Sequence, residues 1–308
     1  MLTLRPHQQR ALAALENNAY GQVIVPTGGG KTIIMIKDAA RRLTAATTPQ
    51  TIVVVAPRIL LANQLCDEFW TAFNGDVDAE FFHVHSGETS FGSSTKVQKI
   101  QCHDAVCKTA GIHQVIFTTY NSLRRIVEAG IDIDCIYYDE AHNSVRRDFF
   151  ESVLNVDAKS YYFFTATPKH TRSAYGRGMN NSMVYGPILE SVPAPELVNN
   201  GSILAPEVIS YEVDFERVKG KFSYESDKDT LTNLINDIDA VGNKILVAAP
   251  SSKIMYNLLS KTNVLDFFHD KGYDVLHITS KFGAYVNKTK VNREQFFETF
   301  NAWGKDPN

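Results

Sequence analysis

The stretch "VIVPTGGGKTIIMIKDAARRL", residues 23 to 43, passes from a β-branched run through three glycines into an amphipathic pattern that opens on a lysine and a threonine. Val23, Ile24 and Val25 predict a buried strand, because continuous apolar β-branched residues suit a parallel sheet covered on both faces. Gly28, Gly29 and Gly30 remove every Cβ from the turn, so successive backbone N–H groups can point at one anion without steric cost. The apolar spacing from Thr32 onward predicts a helix starting at that turn, and the unpaired N–H groups and macrodipole of a helix N-terminus favour negative charge. Lys31 adds a mobile cation for β- and γ-phosphates, and Thr32 a hydroxyl for a magnesium ion. The stretch reads as a cradle for nucleotide phosphates, with Val25 standing where the strict Walker pattern has its first glycine.

Composition sets the frame. With 308 residues, the chain is long enough for two cored domains. Hydrophobic residues at 44% and charged residues at 21% exclude global disorder. No apolar stretch reaches the roughly 18 residues of a membrane span, and "MLTLRPHQQRAL" lacks the apolar core of a signal peptide, so a location in the cytoplasm, or wherever the encoding genome is expressed, is expected rather than secretion. Cys66, Cys102, Cys107 and Cys135 make neither a disulfide framework nor a zinc-ribbon spacing. His83 and His85 alternate on one strand face, and with Cys102, His103 and Cys107 they offer no C-x-x-C pair, so solvated or satisfied histidines are expected rather than zinc. A net charge of -3 confines any nucleic-acid surface to a local patch. The best candidate is "PKHTRSAYGRGM", where Lys169, Arg172 and Arg177 occur with no acidic residue.

Past the cradle, β-rich runs ("TIVVVAP", "AEFFHVH", "QVIFTTY", "CIYYDE", "SYYFFTATP") alternate with amphipathic stretches such as "RILLANQLCDEFWTAF" and "SLRRIVEAG", which predicts a doubly wound parallel sheet. Ligands of such sheets collect beyond the carboxyl ends of the strands, where Thr118, Thr119, Asp139, Glu140, Thr165 and Thr167 fall. Prolines and glycines cluster in "YGPILESVPAPELVNNGSILAPEV", the look of an interdomain connection, and place a boundary between residues 1–204 and 205–308. A second alternation follows: "EVISYEVDF", a helix in "DTLTNLINDIDAVG", strand "KILVAAP", helix "SKIMYNLLSKTNVLDFFHDKG", strand "DVLHIT" and helix "KVNREQFFETFNAW". This second sheet is expected to be incomplete.

In "IYYDEAH", Asp139 and Glu140 sit at the tip of an apolar strand, on the same rim as Lys31. One carboxylate there can hold magnesium and its neighbour can deprotonate an attacking water, whereas two acids on an apolar strand are costly unless something cationic awaits them. With PTGGGKT, DEAH and "FTATP" (164–168) in that order, the chain resembles superfamily two helicases and translocases of the DEAH-box kind. The GGGKT loop and "LRPHQQRAL" are most similar to the branch of type I and type III restriction-enzyme motor subunits and related DNA-repair and phage helicases; the resemblance runs from Leu2 to about the end of the chain.

That resemblance implies an α/β fold of two tandem RecA-like parallel-sheet domains of the P-loop NTPase class, the second incomplete, using ATP and Mg2+. Arg5 and Gln8 would contact the adenine side. Pro26, Thr27, Gly28, Gly29, Gly30, Lys31 and Thr32 would hold the phosphates, and Thr32 and Asp139 the magnesium. Glu140 would be the general base, His142 would couple the site to the neighbouring domain, and Thr165 and Thr167 would link nucleotide state to strand binding. Pro57, Arg58, Thr118, Thr119, Tyr120 and, in the second domain, Ser251 would lie along a nucleic-acid track, DNA rather than RNA.

The family's late arginine finger, in a pattern such as QxxGRxxR, is not found in these residues. Fingers of this kind contribute about 10³ to 10⁵ in turnover, so slow hydrolysis is expected of this chain, read as a fragment or as one completed by a partner chain. The alternative is a nucleotide-gated clamp that binds ATP and nucleic acid without turnover. A small-molecule P-loop kinase fits DEAH and TAT poorly, and no nuclease motif stands out.

Overall fold

The β-branched run ahead of the glycines forms β1 (Tyr20–Ile24), which seven further strands join in one wholly parallel sheet. They are β2 (Thr51–Ala56), β3 (Ala79–Val84), β4 (Gly92–Ser93), β5 (His113–Thr119), β6 (Cys135–Tyr138), β7 (Tyr161–Thr165) and β8 (Ile188–Ser191), standing across the sheet as β4-β3-β5-β2-β6-β7-β1-β8. The structure is a computed structural model describing residues 3–73, 75–205, 223–237, 244–279 and 281–305, and the chain divides into two units, Met1–Glu207 and Val208–Asn308.

In the first unit, α1 (Pro6–Asn17), α2 (Lys31–Ala45) and α3 (Ile59–Phe73) share a core with one face of the sheet. On the other face lie α4 (Val97–Ala110), α5 (Leu123–Ala129), α6 (Arg147–Leu154) and α7 (Ser182–Tyr185). The strand period of two divides the apolar residues between these cores: Val54, Tyr137 and Phe164 enter the first, Val53, Val55, Tyr138 and Phe163 the second. Each such side chain, wholly withdrawn from water, contributes about 1.5–3 kcal/mol, which is why uninterrupted apolar runs, rather than alternating ones, mark these strands.

Strand order decides where chemistry can occur. Because β7 stands between β1 and β6, its terminal residue Thr165 falls between the glycine turn after β1 and the acid pair after β6. The stretch read from sequence as a connection is structured: it forms β8, which pairs with β1 through a register shift at Gln22/Val23, and α8 (Ala194–Asn199), whose Leu197 is fully buried in the first core.

The second unit contains α9 (Ser223–Asp237), α10 (Ser252–Lys261), α11 (Val264–Asp270), β9 (Leu276–Thr279), β10 (Gly283–Val286), β11 (Thr289–Val291) and α12 (Arg293–Lys305). Ile235, Leu258, Val264 and Phe268 form its buried cluster. Its described strands make antiparallel pairs, where a continuation of parallel pairing was expected. "KILVAAP" is not a strand: Ile245, Leu246 and Val247 are all exposed, Leu246 by 95%, so the apolar run gains no burial from extension. The long helix expected over 252–272 breaks at Thr262, whose hydroxyl bonds the Leu258 carbonyl and accepts the Val264 N–H. "EVISYEVDF" (207–215) lies outside the described residues. Among the described residues no helix is long and apolar enough to cross a membrane.

Candidate functional site

The glycine turn is built as its sequence requires. Gly28 and Gly30 have φ of +81° and +84°, a region costing a residue with Cβ about 1–2 kcal/mol, and Gly30 is the N-cap of α2. A Cβ on Gly29 would come within 2.5 Å of Val25 Cγ1, and one on Gly28 within 2.9 Å of Ile203 Cγ2. Pro26 is half-buried, and Thr27 and Gly28 face solvent. Lys31 and Thr32 open the first turn of α2, both half-buried.

The turn is held from behind by α1. Gln8 spends both ends of its amide on the chain, accepting the Arg5 N–H at 2.9 Å and donating to Gly29 O at 3.3 Å. The Arg5 guanidinium donates to Gly28 O and Ser202 O at 3.4 and 3.5 Å. Gln8 is 2% exposed and thus serves first as a strut for the turn; Arg5 is exposed. His7 does the same work and was missed in the sequence: fully buried, its Nε2 lies 2.8 Å from Gly29 O. Its only sequence signal is its place inside "RPHQ".

Across the rim, Lys31 Nζ lies 3.6 Å from Glu140 Oε1 and donates to Val25 O at 3.4 Å. Glu140 has φ +46°, a left-handed conformation costing a non-glycine residue on the order of 1–3 kcal/mol and tolerated mainly where function demands it. Its other oxygen is 3.4 Å from His142 Nδ1, which also meets Thr165 Oγ1 at 3.0 Å; Thr165 Oγ1 accepts the N–H of exposed Thr167 at 3.1 Å. These contacts form one line from cradle to sheet exit. Burial holds His142 below its usual range, Glu140 opposing and Lys169 and Lys31 assisting.

Asp139 is pushed up to about 6, first by burial and then by the Glu140 charge, against the pull of Lys31. Its carbonyl accepts the Tyr120 hydroxyl at 2.9 Å. A hydroxyl and a carboxylate are the hard oxygen donors magnesium takes, so Thr32 and Asp139 fit that ion in chemistry. In the role the resemblance implies, Asp139 would hold the ion as its carboxylate, so its contribution to magnesium-dependent ATP affinity is expected to be flat above about pH 6 and to fall up to tenfold per pH unit below it. Titration calorimetry against Asp139→Asn, which keeps only the nucleotide's own protonation, checks this.

The residues expected along the track divide. Arg58 is exposed at the start of α3. Thr118, Thr119 and Tyr120, by contrast, are at most 3% exposed. Thr118 Oγ1 donates to Val84 O, and Tyr120 stacks on Phe149 and Tyr138 beneath Asp139. Tyr120 thus lies beneath Asp139, while Thr118 ties β5 to β3: the apolar strand pattern that made these residues visible also buries them. Ser251 caps α10 in the second unit, accepting the Ile254 N–H at 3.2 Å. His83 and His85 bond to one another at 2.9 Å in the core, burial holding both below the usual range, and His103 stacks on Phe82.

A parallel sheet with a glycine cradle on β1, an acid pair on β6 and a linking threonine on the strand between them defines a RecA-like domain of the P-loop NTPase class. Residues 1–170 match the family model of the type III restriction enzyme res subunit, ResIII. The chain belongs to this family, and the superfamily two resemblance carried by PTGGGKT, DEAH and FTATP holds. Solved structures share the fold: the type ISP restriction-modification enzyme LlaGI, a nuclease-deletion mutant with a DNA substrate mimic (20% identity, TM-score 0.55, covering 100% of this chain and 30% of that one), and the ATP-dependent type ISP enzyme LlaBIII bound to DNA (22%, 0.52, 65% and 16%). The chain thus spans less than a third of either enzyme. A search of curated proteins finds no match.

Proposed function

We propose that the chain is the ATP-hydrolysing part of a nucleic-acid translocase or helicase that acts on DNA. The observation that carries this reading is the single line of contacts at the rim, Lys31 to Glu140 to His142 to Thr165 to Thr167. A phosphate-binding cation, a general base and a relay to the exposed end of β7 are what a hydrolase needs if turnover is to be felt elsewhere.

In this reading the glycine turn and Lys31 hold the triphosphate, their N–H dipoles and charge countering its negative charge. Thr32 and Asp139 would hold magnesium, which when bound neutralises charge on the phosphoryl oxygens. Glu140 takes the proton from the attacking water. The change of charge on Glu140 alters its pull on His142, and His142 passes it to Thr165 and the Thr167 N–H. The arginine finger is proposed to come from sequence outside these residues or from a partner chain. DNA as the track is supported by the family and by the DNA-bound state of the two enzymes that share the fold.

Fluorescence anisotropy of labelled DNA with the purified chain, in ADP, in a non-hydrolysable ATP analogue and without nucleotide, tests the coupling. Affinity should differ severalfold between nucleotide states. Equal affinity in all three would disconnect the ATP site from nucleic acid.

A further inference from the structure

The rim relay ends at Thr167 and leads into a loop, residues 168–181, that the hydrolytic site does not use. Lys169, Arg172 and Arg177 are exposed on it, and no Asp or Glu occurs between Asp157 and Glu190. Among the described residues none of the three cations has an ion-pair partner. Tyr175, between the arginines, is 84% exposed. In a chain of net charge -3, this is a local concentration of free positive charge beside an exposed ring.

Solvated loop charge needs no scaffold, yet this loop has one. Thr171 and Asn180 exchange two bonds of 2.9 Å, Thr171 N to Asn180 Oδ1 and Asn180 Nδ2 to Thr171 O. Met179 N donates to Lys169 O at 2.7 Å, and Asn181 Nδ2 to Gly176 O at 2.8 Å. From the sheet, Gln22 Nε2 in β1 donates to Met179 O at 3.1 Å. From the acid-pair segment, Ser144 Oγ donates to Ala141 O at 2.6 Å and stands 3.0 Å from the hydroxyl of fully buried Tyr185, which meets Arg177 O at 3.1 Å. The backbone bearing the cations is therefore fixed to the strand before the cradle and to the DEAH segment. A surface ordered in advance loses less entropy when it binds.

We propose that residues 169–177 form a binding surface for the phosphate backbone of a nucleic-acid strand, Lys169, Arg172 and Arg177 meeting phosphates and Tyr175 offering its ring to a base. The inference rests on the reading of the chain as a nucleic-acid-coupled ATPase. Phosphate contacts release counterions, so each steepens the fall of log K with log salt by about 0.7 for a single strand and 0.9 for a duplex.

Anisotropy with labelled single-stranded DNA, duplex DNA and RNA across a salt series, on the full chain and on Lys169→Ala/Arg172→Ala/Arg177→Ala, decides it. The triple variant should bind the preferred polymer at least tenfold more weakly at low salt, with a slope shallower by about 2 to 3, while its affinity for a fluorescent ATP analogue stays within twofold. Unchanged slope and affinity in a variant whose parent binds nucleic acid would overturn the loop assignment alone, and would point to another occupant such as an acidic protein segment. A parent that binds no polymer at any salt overturns the functional reading and the loop assignment with it.

Discussion

Replacing Lys31 by alanine is expected to weaken Mg-ATP binding on the order of 10- to 100-fold and to abolish turnover. Hydrogen bonds to charged groups are worth about 1.5–3 kcal/mol, and the Lys31 ammonium is the cation at the rim that meets Glu140 at 3.6 Å and lowers Asp139. Its removal takes a charge from the phosphates and also raises Asp139 further, which weakens magnesium binding at neutral pH. The fold should survive, because Lys31 is half-buried at a helix start and contributes nothing to either core. Titration with a fluorescent ATP analogue, beside thermal melts, reads both effects. Parental affinity in the variant would remove Lys31 from the site.

Glu140→Gln should separate binding from chemistry. An amide of the same shape cannot take a proton, and a lost general base costs about 10² to 10⁴ in rate. The left-handed backbone at Glu140 is unchanged by the substitution, and a partly exposed ion pair such as Lys31–Glu140 is worth no more than about 1 kcal/mol, so ATP affinity and melting temperature should stay near parental values. The variant should accumulate bound, unhydrolysed ATP. Turnover within twofold of the parent would assign the base to another residue.

Much of this site is legible in the sequence because its physics is local. A glycine run that must adopt positive φ, a lysine one residue past it and two acids at the end of an apolar strand each announce themselves within a few residues. The strands β2, β3, β5, β6 and β7 are similarly visible as apolar runs. What depends on distant partners is not. His7 looks like any histidine on an early helix until Gly29 O is placed beside it. Thr118 to Tyr120 close a strand at the rim, so the resemblance makes them track residues, whereas all three are buried and Tyr120 packs under Asp139. The β8–α8 segment hides among prolines and glycines, because a four-residue edge strand carries too short a pattern to outweigh its breakers. "KILVAAP" errs the other way, since a strand needs partners that its own composition cannot supply.

The most direct measurement is phosphate release from ATP by the purified chain, alone and with single-stranded DNA, duplex DNA or RNA, beside Glu140→Gln as the background. The rim geometry predicts slow release that DNA raises severalfold and that the variant lacks. Release no greater than that of Glu140→Gln with every polymer would contradict a nucleic-acid-coupled ATPase.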